Sequence, residues 1–379
     1  MSMMIPRYLE NQITKSLKHG RVVGLFGPRR SGKTYLMNLI IKKIKNQNVL
    51  TVNGEDLDAA EALSSQRISI LERFIGKNEY LFIDEAQKIS NIGANLKLIV
   101  DTFPSVAVFV SGSSAFDLRN QIGEPLVGRS KYFYLYPFAQ LELKEFEDYL
   151  KTEGELSDKL IFGSYPQVYM AETPAEKQDQ IQLIRDGYLL KDILTIDNLK
   201  DSLFIFNLLR LIAFQIGNDV SFTELASNLN TSAKTVMRYL ELLEKSYILF
   251  SLHGFSKNLR KEYTKSPRYY FWDNGVRNSV ISNYNDLNTR DDVGKLWENY
   301  IISERMKKSH YKKISANRYF WRTYTQQEID LVEEREGKLF GYEIKWGSKK
   351  VKAPSAFMET YKNASFEVIN QENYLDFIS

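Results

Sequence analysis

Short apolar runs alternate with helix-patterned stretches along the first part of the chain. The runs are RVVGLFG, NVLTVNG, YLFIDEA, VAVFVSGS and KYFYLYP, and between them lie helical patterns from Lys33, near Ser69 to Ile75 and near Leu96 to Thr102. Strands this rich in Val, Ile, Phe and Leu, alternating with helices, predict a mostly parallel sheet covered on both faces, an α/β sandwich over residues 1–139. After Pro137 the period changes. Leu141, Leu143, Phe146 and Leu150 repeat at helical spacing, and an FGSYP turn and a long helix through Ile181 to Leu194 follow, giving a helical connector over 140–200.

The segment VSFTELASNLNTSAKTVMRYLELLEKSYILFSL predicts a helix, a tight turn at Asn228 to Asn230, a second helix opened by Thr231 or Ser232, and an extended run. That is a helix-turn-helix with a wing, placed at 201–285. Residues 286–379 predict a helix over Val293 to Lys307, strands over Arg318 to Tyr324 and Ile329 to Glu333, a turn at Glu336-Gly337 and a strand over Leu339 to Trp346. A small separate α/β domain fits this order.

Composition narrows the chemistry. The 379 residues are 43% apolar and 26% charged, an ordinary globular mix that excludes collagen-like and disordered chains. Cysteine is absent and there are three histidines, so thiol catalysis, disulfides and cysteine-held zinc are ruled out, and a metal would be a hard cation such as magnesium on oxygen ligands. The net charge of +4 is too small to establish a polyanionic partner by itself. MSMMIPRYLENQITK lacks the apolar core of a secretory signal, and runs such as Val106 to Val110 fall short of the ~18 residues of a membrane span. The expectation is a cytoplasmic protein with no membrane partner.

Gly27-Pro28-Arg29-Arg30-Ser31-Gly32-Lys33-Thr34 reads G-x-x-x-x-G-K-T between an apolar strand and a helix. In such a loop the backbone N–H groups converge on phosphate oxygens, Lys33 reaches the β- and γ-phosphates and the Thr34 hydroxyl ligates magnesium. YLFIDEA supplies the acids. Asp84 suits the magnesium shell, and Glu85 is placed to orient or deprotonate the attacking water. Ser111 and Ser113 end the next strand, where a hydroxyl can sense the γ-phosphate or the water. Arg129 is the candidate arginine finger, in cis or in trans, ahead of Arg29, Arg30 and Arg119.

Taken with Gly128-Arg129, YPF at 136–138, FGSYP at 162–166 and YLLKDIL at 188–194, these residues resemble the prokaryotic AAA+ superfamily ATPases that carry a C-terminal domain of unknown function. The resemblance covers nearly the whole chain. It implies an AAA-type ATPase core using ATP and Mg²⁺ through Gly27 to Thr34 and Asp84-Glu85, then a winged-helix region and a restriction-endonuclease-like domain.

In the second helix of the helix-turn-helix, Val236, Leu240 and Leu243 form a buried face and leave Lys234, Thr235 and Arg238 outward, towards a major groove. Lys257, Arg260, Lys261, Lys265 and Arg268 follow with Phe255 and Tyr263 interleaved, a loop able to grip duplex DNA phosphates. Around the Glu336-Gly337 turn, paired positions in a two-residue hairpin set Asp330 opposite Glu343 and Glu328 opposite Lys345. Facing carboxylates repel unless a cation joins them, so Asp330 and Glu343 are candidate metal ligands with Glu298 as a third and Lys345 alongside. The constellation resembles the PD-(D/E)xK nuclease core; the competing reading is a Glu328–Lys345 salt bridge. The sequence therefore points to a Mg²⁺-dependent ATPase associated with DNA, which self-associates if Arg129 acts in trans. A nucleotide-gated switch for protein partners and an ATP-gated endonuclease are the alternatives.

Overall fold

The computed structural model describes residues 5–44, 47–113, 126, 128–144, 146–147, 149–189, 202–256, 266–348 and 351–379. Two compact units divide the chain, Met1–Pro137 and Phe138–Ser379.

The first unit is built on five strands, β1 (Val22–Phe26), β2 (Val49–Asn53), β3 (Tyr80–Asp84), β4 (Ala107–Gly112) and β5 (Ser130–Tyr134). They pair in the order β2-β3-β4-β1-β5, and each neighbouring pair is parallel. Every residue of β1, β3 and β4 is buried, which is why these segments read as unbroken apolar runs, whereas the edge strands β2 and β5 are partly exposed. Helices Lys33–Lys43, Ile68–Ile75 and Ile92–Thr102 occupy the expected places. Two further helices, Leu9–Ser16 and Leu57–Ser64, were not anticipated. Each has eight residues; the first buries only Leu9 and Ile13, too few positions to show a period, and the second is started by Asp56, whose side chain accepts from the Ala59 N–H at 2.9 Å.

The second unit contains a six-stranded sheet, β6 (Leu249–Gly254), β7 (Arg268–Phe271), β8 (Asn317–Arg322), β9 (Glu328–Arg335), β10 (Lys338–Ile344) and β11 (Ala364–Ile369), in the order β11-β10-β9-β8-β6-β7. β6 and β7 are antiparallel, and β6 runs parallel to β8 through His253↔Tyr319 and Gly254↔Phe320. Segments on both sides of residue 285 thus contribute strands to one sheet. Before it, helices Phe222–Asn228 and Ala233–Lys245 meet at a tight turn, with Asn230 at φ +49° and the Ser232 hydroxyl capping the second helix by accepting from the Thr235 N–H at 3.1 Å. Val236, Leu240 and Leu243 are buried there as their spacing requires.

The FGSYP motif belongs to this architecture. Gly163 has φ +80°, and a Cβ there would collide with the Asp273 carboxylate, which accepts the Ser164 N–H at 2.7 Å and caps the helix Asn274–Ile281. The helix after it spans Pro174–Ile184, opened by a Thr173/Glu176 capping box, and passes into a π-turn over Arg185–Leu189; residues 190–194 of the expected longer helix lie outside the described residues. Deeper in, Lys159 and Glu147 pair at 2.8 Å with almost no exposure. Gln140 Oε1 accepts from both Lys159 and the Tyr300 hydroxyl at 3.0 Å, so the network ties the start of the unit to the helix Val293–Lys312.

Candidate functional site

The loop 27–32 leaves the C-terminal end of β1 and turns into the helix Lys33–Lys43. Its path depends on glycine: Gly27 has φ +149°, and a Cβ there would strike the Leu135 carbonyl. The helix N-terminus, with Gly32 as its cap at φ +95°, turns its first N–H groups and the positive end of the helix dipole towards the loop. Lys33 is 6% exposed, and its ammonium donates to the Gly27 and Pro28 carbonyls at 2.9 and 2.8 Å, which keeps the charge within the loop.

Strand order brings the other residues to this edge. β4 lies between β1 and β3, so the ends of three strands converge, a placement that the linear pattern of runs did not specify. Asp84 is 7% exposed; one carboxylate oxygen accepts the Thr34 hydroxyl at 2.6 Å, and the other accepts the Ser111 hydroxyl and, at 3.1 Å, the Glu85 N–H. Glu85 follows in a left-handed conformation, φ +52° and ψ +40°. Gln87 donates from Nε2 to the Glu85 carboxylate and, at 3.2 Å, to the Ser113 hydroxyl. Thr34 and Asp84 are hard oxygen donors of the kind that suits Mg²⁺.

Arg129 stands elsewhere. Its carbonyl accepts the Val22 N–H at 2.9 Å, and Val22 pairs with Ser130, so Arg129 is at the edge where the strands begin. The phosphate loop is at the opposite edge, about 17 Å away along a five-residue strand. An action in cis on this chain's own loop is excluded by that distance. The Arg129 side chain is about half exposed and pairs with Asp101. Arg119 lies outside the described residues, and Arg30 serves the loop's turn at φ +64°.

The C-terminal hairpin has the expected register, with Lys338↔Arg335 through Tyr342↔Leu331 and a turn in which Glu336 and Gly337 both have positive φ. Glu298, Asp330 and Glu343 are all buried. Burial and the neighbouring Glu298 charge raise the Asp330 carboxyl to about 7, and burial together with Asp330 raises Glu343. Burial disfavours the charged Lys345, but Asp330 and Glu343 reverse this and hold it above its ordinary value. Its ammonium lies 2.6 Å from Glu343 and 4.0 Å from Asp330. The expected Glu328–Lys345 pair is replaced: Glu328 pairs with Arg268 at 2.9 Å. Glu298 accepts the Tyr270 hydroxyl at 2.8 Å and pairs with Lys295 at 3.1 Å. Among the described residues no three Asp, Glu, His or Cys side chains group closely enough to hold a metal ion. The Asp330, Glu343 and Glu298 set is therefore a buried acidic neighbourhood served by Lys345, and a metal there would have to draw the ligands together.

Of the DNA-facing candidates, Lys234 and Arg238 are exposed on the helix Ala233–Lys245. Lys257, Arg260, Lys261 and Lys265 lie outside the described residues. Arg268 is 3% exposed and committed to Asp219 and Glu328, so it is not a phosphate contact. Among the described residues no helix is long and apolar enough to cross a membrane.

Residues 19–144 match the AAA domain family. The match spans 126 of the 379 residues. It is followed by matches to two domains of unknown function, DUF8612 over 153–287 and DUF4143 over 293–374. An uncharacterized protein of Mycobacterium tuberculosis is 26% identical over 343 residues, covering 88% of this chain and 72% of its own length. An uncharacterized protein of Methanocaldococcus jannaschii is 23% identical, covering 88% of this chain and 76% of its own. Among solved structures, AMPPCP-bound DnaA from Aquifex aeolicus aligns at 16% identity and a TM-score of 0.31, covering 68% of this chain and 88% of that one.

Within the first unit, sequence reasoning missed Arg7. It is 4% exposed, ahead of the first helix, and its guanidinium donates to the Ser31 carbonyl at 2.6 Å and the Tyr136 carbonyl at 2.8 Å. One side chain thereby ties the phosphate loop to the chain beyond β5. An isolated arginine near the N-terminus carries no pattern that reveals such a role.

Proposed function

We propose that this chain is a Mg²⁺-dependent ATPase of AAA type whose second unit contacts duplex DNA. The observation that carries the reading is Asp84, which joins the Thr34 hydroxyl on one side and the Ser111 hydroxyl on the other at the strand edge bearing the phosphate loop. Loop N–H groups and Lys33 would bind the phosphates of ATP, and Thr34 with Asp84 would hold Mg²⁺, which supplies charge neutralisation between the β- and γ-phosphates. Glu85 takes a proton from water as the water oxygen bonds to the γ-phosphorus and the bond to ADP breaks. Arg129, at the far edge of the sheet, serves a neighbouring copy in trans, which makes the working form a homo-oligomer.

Lys234 and Arg238, with the basic residues at 257–265, support DNA contact through a winged helix. For the C-terminal carboxylates the favoured role is a divalent-cation site of nuclease type. What favours it is the Glu343 Oε2 atom, which is buried and has no hydrogen-bond partner among the described residues. Steady-state ATP turnover of the wild type and Lys33→Ala, with and without duplex DNA at low and moderate salt, tests the whole reading. Turnover that needs Lys33 and rises with DNA in a salt-sensitive way is expected. Turnover that needs Lys33 and ignores DNA points instead to a nucleotide switch for a protein partner.

A further inference from the structure

Gln87 sits in a single 3-10 turn, Ala86–Lys88, that leaves the end of β3 just after Glu85. The direction of its carboxamide is dictated by its neighbour: an ionised carboxylate only accepts, so the amide nitrogen must face Glu85. Nε2 lies 2.5 Å from Glu85 Oε2 and 3.2 Å from Ser113 Oγ. Both of its protons are therefore engaged, one by the acid at the end of β3 and one by the hydroxyl just beyond β4. The carbonyl Oε1 is left over. It is buried and accepts from no donor among the described residues, an arrangement that costs energy wherever it occurs. Oxygen and nitrogen of one carboxamide are roughly 2.3 Å apart, so Oε1 lies within about 5 Å of the Glu85 carboxylate, a gap that one water molecule bridges.

We propose that Gln87 is a positioning residue for the hydrolytic water, an inference that rests on the ATPase reading above. One N–H fixes the Glu85 carboxylate, the other tethers it to Ser113, and Oε1 accepts one O–H of the water whose other proton passes to Glu85. The water oxygen bonds to the γ-phosphorus, the β–γ bridging oxygen leaves on ADP with its electron pair, and the O–H held by Gln87 stays with the phosphate formed. Gln87 itself gains and loses nothing.

The test compares wild type, Gln87→Ala and Gln87→Glu in steady-state ATP turnover, with a fluorescent ATP analogue titrated in parallel and thermal unfolding as a check on folding. Gln87→Glu keeps the volume of the side chain and cannot donate to Glu85 as glutamine does. For both variants kcat is expected to fall roughly tenfold to a hundredfold while KM and analogue affinity stay within about twofold. A Gln87→Glu protein that keeps half or more of wild-type kcat overturns the proposal, as does a loss carried by KM alone. If alanine disturbs folding, the glutamate isostere decides. Lys33→Ala run alongside separates the two levels: wild-type turnover indifferent to Lys33 removes the ATPase reading, whereas Lys33-dependent turnover indifferent to Gln87 removes only this inference.

Discussion

The carboxylate of Asp84 accepts the hydroxyl of Thr34 at 2.6 Å across fifty residues of sequence. A strand end and a helix start are thereby held at one edge of the sheet, and the two oxygens presented suit a hard cation. Asp84→Ala is expected to weaken ATP binding in the presence of Mg²⁺ at least tenfold and to change Mg²⁺-free binding much less. Calorimetric titration with and without the metal measures both, and an equal loss in the two conditions would assign Asp84 a purely structural part.

Arg7 holds the Ser31 and Tyr136 carbonyls, and its removal leaves both without that donor. Bare buried carbonyls cost about 1–3 kcal/mol each, so Arg7→Ala is expected to lose roughly 2–6 kcal/mol in denaturant unfolding. Its ATP affinity should fall as well, because Ser31 is part of the phosphate loop. Unchanged affinity at reduced stability would limit Arg7 to a packing role.

The parallel strands of the first unit were legible because β1, β3 and β4 are buried along their whole length and so leave unbroken apolar runs. Lys33, Thr34, Asp84 and Glu85 were legible because loop chemistry fixes their spacing. The insertion of β4 between β1 and β3 is a tertiary fact with no local signature, and it decides that Ser111 meets Asp84; Arg129 is far from Lys33 because it precedes β5, which runs parallel to β1. The pairing of β6 with β8 was likewise invisible, since parallel partners sixty or more residues apart share no turn. In the last segment the hairpin register followed from its two-residue turn, but Glu328 turned to Arg268, a partner on a strand whose position the sequence does not indicate.

Placement of Arg129 at the opposite sheet edge from the phosphate loop predicts complementation between subunits. Arg129→Ala and Lys33→Ala are each expected to be nearly inactive alone. Mixed, they should regain a substantial fraction of wild-type turnover, because an intact Arg129 on one chain then faces an intact Lys33 on another. Sedimentation of the mixture checks that the copies associate. No recovery in an associated mixture would deny the trans role.

Asp330 has its carboxyl raised to about 7, first by burial and then by Glu298. The unfolded chain loses this proton near the ordinary value of 3.8, so between about pH 4 and 7 the folded state holds a proton that the unfolded state has released. Stability therefore falls as pH rises through that window and levels off above it. Asp330→Asn, which stays neutral, is expected to lose less stability than the wild type between pH 5 and pH 8 in metal-free buffer. Melting temperatures at the two pH values provide the comparison, and identical losses would show that Asp330 is ionised in the fold throughout.

The central claim is that the first unit binds ATP through its loop and breaks it through Glu85. A single-turnover assay of Glu85→Gln, with bound ATP and released ADP followed in the same sample, addresses it most directly. The account predicts ATP bound as tightly as by the wild type and ADP formed at least a hundredfold more slowly, in keeping with loss of a general base. ADP formed at the wild-type rate by Glu85→Gln would contradict it.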